Sequence, residues 1–122
     1  MVSREDIAAF FATDLGKRLR DGAEHLREFK FSILDDASKY ENPAEGEQVL
    51  LQGVVDCAIV DDDGITIIDF KTDKVSESNV ESVSEGYKLQ VHTYGEALSR
   101  IYEKPIKALK LWFFRLKRFV DV

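Results

Sequence analysis

Two apolar runs placed back to back constrain this chain more than any other feature. Val49 to Val60 and Ile65 to Lys71 are separated only by Asp61-Asp62-Asp63-Gly64. An Asp-Gly step between two strand-like runs is a strong signal for a tight hairpin turn. The first run carries apolar side chains at both parities: Leu50, Val54, Ala58 and Val60 at even positions, Leu51, Val55, Cys57 and Ile59 at odd ones. Successive side chains of a strand point to opposite faces, so this hairpin has to be covered on both sides. Helices must supply the cover, which makes the chain an α/β protein.

The remaining segments read accordingly. Ile7, Phe10, Phe11, Leu15 and Leu19 recur at helical spacing behind Ser3, an N-cap residue followed by Glu5 and Asp6; one helix from about Ser3 to Arg20 is predicted. Glu28 to Leu34 alternates polar and apolar residues and predicts a first strand, with His25 a surface residue just before it, near the helix end. Asp, Ser, Asn, Pro and Gly collect from Asp35 to Glu47, which reads as a loop. Tyr87, Gln90, Val91, Tyr94, Leu98 and Ile101 share one face of a helix from about Ser82 to Tyr102, which Pro105 ends. Leu109, Leu111, Phe113 and Phe114 make a last strand. The predicted order is α-β-β-β-α-β, a mixed sheet flanked by helices, and 122 residues suffice for one core.

Composition excludes several classes. Cys57 is the only cysteine, so neither an intrachain disulfide nor a sulfur-built zinc or iron–sulfur site is expected. The uncharged runs are too short for a membrane span, and Met-Val-Ser-Arg-Glu-Asp is no signal peptide; a cytoplasmic protein is expected. The net charge of −6 argues against a free-standing nucleic-acid binder held by bulk electrostatics. Charge is nevertheless uneven: Arg100, Lys104, Lys107, Lys110, Arg115, Lys117 and Arg118 face only Glu103 among acids in their stretch. That stretch is either a solvated edge or a surface turned to DNA or to a partner. Asp61 to Gly64 does not open an EF-hand, because the first and twelfth loop positions would be Ile59 and Phe70.

The chemistry lies in three polar residues inside otherwise apolar strands: Asp56, Asp69 and Lys71. Buried charges cost several kcal/mol unless paired or metal-bound. Asp69 and Lys71 share a face and Phe70 takes the other. A four-residue turn sets Asp56 opposite Asp69, and a two-residue Asp63-Gly64 turn sets it opposite Lys71. Two adjacent carboxylates are reconciled by a shared proton, a lysine or a divalent cation; oxygen ligands favour Mg²⁺ or Mn²⁺. A buried salt-bridge triad with no catalytic role fits the same residues.

Gly53-Val54-Val55-Asp56, then Ile68-Asp69-Phe70-Lys71-Thr72-Asp73, then Gln90-Val91-His92-Thr93-Tyr94 resemble the GxxD, (D/E)xK and QxxxY motifs of the RecB-like branch of the PD-(D/E)XK nucleases. Arg27 to Phe31, Val49 to Cys57 and Asp62-Asp63-Gly64 are similar to the C-terminal nuclease domain of the AddA (RexA) family of bacterial helicase/nuclease subunits, and the likeness runs from about Arg4 to Phe114. The resemblance implies a PD-(D/E)XK restriction-endonuclease-like core. It implies an Mg²⁺-dependent DNA exonuclease, with Mn²⁺ as substitute, acting with a helicase and the second subunit of an AddAB-type complex in double-strand-break processing and recombinational repair. Asp56 and Asp69 would hold the cation with the Phe70 carbonyl, Lys71 would be the catalytic lysine, Gln90 and Tyr94 would position substrate or lysine, and Glu28 matches an RExxF-like segment. The family's N-terminal helix carrying a metal-binding histidine is missing, since His25 and His92 stand in other contexts. Residues 1–122 are therefore read as one nuclease domain, a C-terminal fragment of a longer chain, that binds no nucleotide. The alternative from another class is a catalytically silent scaffold or protein-interaction module.

Overall fold

The structure, a computed structural model, describes residues 4–36 and 48–122, without the side chains of residues 35, 36, 48 and 49. The elements run α1 (Arg4–Phe11), α2 (Asp14–Arg20), β1 (His25–Asp36), β2 (Gln48–Asp61), β3 (Gly64–Lys71), α3 (Val80–Tyr102), β4 (Ile106–Phe113) and β5 (Arg118–Asp121). The strands form one sheet in chain order. Only β3 and β4 are parallel among the pairs, with α3 as their crossover. The expected mixed α/β sheet flanked by helices is present. The Asp35–Glu47 loop and the Ser3 cap fall largely outside the described residues, though Asp35 and Asp36 belong to β1.

The single N-terminal helix of the sequence reading is two helices. Thr13 breaks it: its Oγ1 donates to the Phe10 carbonyl at 2.5 Å and accepts from Gly16 N at 3.1 Å, capping α2. The two helices meet so closely that a Cβ on Gly16 would lie 2.1 Å from the Phe10 carbonyl oxygen. Periodicity ran through the break because Phe10 and Leu19 both still face the sheet. His25 is likewise not a surface residue before the strand. It opens β1, half-buried, with Nδ1 2.7 Å from the Ala23 carbonyl. The last element, β5, has only four residues, too few to show a period, yet Phe119 packs edge-on against Trp112 at 4.7 Å.

Two cores sandwich the sheet. Ile65, Ile67, Leu111 and Phe113 pack with Val91, Ala97 and Leu98 of α3. Cys57, Ile59, Ile68 and Trp112 pack with Phe10 and Leu19 of α1 and α2. In β2 the alternation slips within this arrangement: Val55 and Ala58 lie in the α3 core, three residues apart, while Cys57 and Ile59 lie in the other. Strand β1 slips at the same height, where Leu26 and Phe29 both pack against the α3 core. The pairs Arg27↔Cys57 and Phe29↔Val55 flank the slip, and Glu28 between them has φ of 48°. The expectation of strict alternation along Val49–Val60 is corrected accordingly. Leu50 and Val54, predicted to be under a helix, are 54% and 41% exposed, because α1 and α2 cover only the strand beyond the slip. Asp56 stands at the slip itself.

Candidate active site

Register places the acidic pair. Pairing of β2 with β3 runs from Asp61↔Gly64 to Cys57↔Ile68, so Asp56 comes opposite Asp69, not opposite Lys71. The turn proper is Asp62-Asp63, one pair tighter than the four-residue loop considered from sequence. Beyond Cys57↔Ile68 the ladder stops, and the Asp56 carboxylate takes the next strand hydrogen bond itself, accepting Phe70 N–H at 2.9 Å. The side chain thus acts as a backbone surrogate where the strands part.

Burial and the Asp69 carboxyl hydrogen-bonded beside it push the Asp56 carboxyl up to about 6, while the Phe70 N–H bond pulls the other way. Below that pH Asp56 is protonated, first because burial disfavours its charged form and second because Asp69 lies beside it. Asp69 is 4% exposed. Its Oδ2 lies 2.8 Å from Lys71 Nζ as an ion pair, but no donor is aligned on it as a hydrogen bond. Lys71 Nζ also lies 3.5 Å from Gln90 Oε1 and 3.8 Å above the centre of the Tyr87 ring. Lysine therefore pairs directly with one carboxylate of the two, and negative charge remains in excess.

Such a site fits a hard cation. It offers two carboxylates, one with a buried oxygen that has no aligned hydrogen-bond donor and one that burial and its acidic neighbour keep from ionising easily. Among the described residues no three His, Cys, Asp or Glu side chains converge. One or two carboxylates completed by carbonyl and water oxygens suit a hard divalent cation that keeps part of its water shell.

Gln90 and Tyr94 stand one turn apart on α3 and both reach the strands. Gln90 meets Lys71, as above; Tyr94 packs edge-on against Phe31 at 5.6 Å. Burial, then the charges of Asp69 and Asp56, push the Tyr94 phenol up. Gly53 of the GxxD segment makes room for both rings: a Cβ there would lie 2.8 Å from Tyr94 Cε1 and 2.9 Å from the Phe31 ring. Gly53→Ala is expected to lower stability by about 1 kcal/mol through this overpacking, with chemical denaturation as the check. Glu28 is exposed and reaches neither Asp69 nor Lys71. It borders, with Arg27 and Asp56, a cavity of about 590 Å³ floored by Phe11, Phe70 and Phe114.

Tyr87 and Asp73 were missed in the sequence. Tyr87 was absorbed into the apolar stripe of α3, and only its spacing three residues before Gln90 hinted that it shares that face. The basic stretch is mostly spent inside the molecule. Lys104 Nζ donates to the Asp61 carbonyl, Lys107 pairs with Asp61 and Asp63, Lys110 with Asp121, and Arg118 with Glu77 and Glu81. Arg115 and Lys117, in the β4–β5 turn, are exposed.

The family model described as the PD-(D/E)XK nuclease superfamily matches residues 2–121. This chain belongs to the PD-(D/E)XK nuclease superfamily. Similar relatives are ATP-dependent helicase/nuclease subunits of the AddA type, among them those of Bacillus cytotoxicus, 37% identical over 93% of the chain, and Bacillus cereus, 36% identical over 93%. That of Bacillus mycoides is 33% identical over 99% of the chain. The chain covers 10 to 11% of the length of these relatives. Its likeness within the superfamily is thus to one nuclease-bearing part of a much longer polypeptide. No helix among the described residues is long and apolar enough to cross a membrane.

Proposed function

We propose that this PD-(D/E)XK nuclease domain hydrolyses phosphodiester bonds of a DNA strand as an Mg²⁺-dependent exonuclease. It works as one part of a longer AddA-type helicase/nuclease polypeptide, with a second subunit, in cytoplasmic double-strand-break processing and recombinational repair. The observation that carries this reading is the Asp56 carboxyl set against that of Asp69 where β2 and β3 part, with Lys71 on Asp69. Asp56 and Asp69 would hold the cation through side-chain oxygens, joined by the Phe70 carbonyl. When bound, such an ion neutralises phosphate charge and acidifies water.

The chain's own residues have distinct tasks. Lys71 meets the negative charge that builds on the phosphate, or orients the attacking water, from an ammonium held at Asp69. Gln90 holds the outer side of that ammonium, and Tyr94, wedged over Gly53, sets the approach of the strand. Glu28 is kept as a substrate contact at the cavity rim. Strand delivery by the helicase also reconciles the net charge of −6 with a DNA substrate, because affinity need not reside in this domain.

Calorimetric titration with Mn²⁺ tests the reading. Uptake is expected in the parent chain and is lost in Asp56→Ala and Asp69→Ala. A melting temperature raised by Mn²⁺ accompanies it, since a ligand of the folded state stabilises by mass action. A silent scaffold with a structural ion pair would take up no Mn²⁺ and melt unchanged.

A further inference from the structure

We infer that Tyr87 is a positioning residue for Lys71: its ring face carries the ammonium, and Asp73 fixes the ring. This rests on the proposed nuclease role of Lys71. Four contacts define the arrangement. Lys71 Nζ lies 3.8 Å from the Tyr87 ring centre, 2.8 Å from Asp69 Oδ2 and 3.5 Å from Gln90 Oε1, and Tyr87 Oη donates to Asp73 Oδ2 at 2.8 Å.

The choice of a ring has a chemical consequence. A carboxylate under Lys71 would neutralise it and take one of its N–H donors. A ring face attracts the cation through its quadrupole and asks for no particular N–H. Asp69 then anchors one side, and the remaining donors stay available to a phosphate oxygen or a water. The bond from Tyr87 Oη to Asp73 ties α3 to the segment just after β3 and holds the ring in place beneath Lys71. Lys71's side chain is only 16% exposed, and a flexible four-carbon stem held on three sides is one fixed in direction.

The test is NMR of the chain with ¹³C-labelled lysine, the Lys71 signals assigned from Lys71→Ala. A cation over a ring face has its Hε protons shifted upfield, away from the cluster formed by the other lysines. That shift is expected in the parent, present but smaller in Tyr87→Phe, which keeps the ring face and loses the bond to Asp73, and lost in Tyr87→Leu, whose unchanged amide spectrum elsewhere shows the fold intact. In the longer helicase/nuclease polypeptide, Tyr87→Leu is expected to lower kcat for cleavage about tenfold with KM unchanged, and Tyr87→Phe to recover most but not all of it, the remainder being the share of the Asp73 bond. Lys71 signals lying among the other lysines in the parent would overturn the inference. So would full kcat in Tyr87→Leu beside an inactive Lys71→Ala. Cleavage at the parent rate by Lys71→Ala would instead sink the role of Lys71 itself, and the inference with it, even if the ring shift were present.

Discussion

Lys71→Ala is expected to reduce DNA cleavage by the helicase/nuclease polypeptide at least about a thousandfold, the scale seen when one preorganised donor to a developing charge is removed. Unwinding by the same polypeptide should persist. Stability complicates the result in a way the geometry predicts. Asp69 is 4% exposed and Lys71 is its direct ionic partner at 2.8 Å. Removing the lysine strands a buried carboxylate, a loss of about 3 kcal/mol. The double variant Asp69→Asn with Lys71→Ala should recover most of that stability, because the Asp69 position no longer carries a buried charge without its partner, and should remain inactive. Lys71→Arg is no substitute. A guanidinium would stack flat on the Tyr87 ring and pair with Asp69, and so commit to them the donors that a compact ammonium keeps for a phosphate oxygen or a water. Cleavage of end-labelled DNA, beside denaturant melts of the four proteins, decides the matter. Parent-level cleavage by the folded double variant would remove Lys71 from the chemistry.

The hairpin, the helix α3 and the shared face of Asp69 and Lys71 were legible because each depends on local pattern: a turn residue, a period of 3.6, a period of two. The slip at Asp56 was not, since it is a property of two strands. Glu28 at φ of 48° and Asp56 opposite it in register change parity together, and either strand read alone shows only mixed apolar residues. The slip is also what lets Asp56 turn to accept Phe70 N–H. The acidic pair could be seen as neighbours from the sequence, but the manner of their meeting could not. Tyr87 was hidden for a different reason. An aromatic residue on an apolar helix face looks like core whether or not a cation sits on it. The exposed Leu50 and Val54 were misjudged because period-two reading assigns a face without saying how far the covering helix extends. The break at Thr13 escaped because α1 and α2 keep their apolar residues in phase across it.

Asp56→Asn is expected to stabilise the metal-free chain at pH 7.5 by about 2 kcal/mol while abolishing Mn²⁺ uptake. In the folded chain the Asp56 carboxyl is raised from 3.8 to about 6, by burial first and by Asp69 second. A carboxyl raised on folding contributes fully below its unfolded value and loses that contribution as pH rises through the folded value. The loss therefore develops between about pH 4 and 6 and is complete above. At 1.36 kcal/mol per pKa unit it would reach about 3 kcal/mol, reduced here because Asp56 remains partly exposed. Asparagine keeps an acceptor for Phe70 N–H and presents an N–H₂ to Asp69, whose Oδ2 has no aligned donor in the parent. The variant should match the parent at pH 4 and exceed it increasingly up to neutrality, as read from denaturant midpoints across that range. Saturating Mn²⁺ should close the gap by stabilising the parent alone. Equal midpoints at pH 7.5, or a difference that does not change with pH, would mean that the Asp56 carboxyl is not raised on folding.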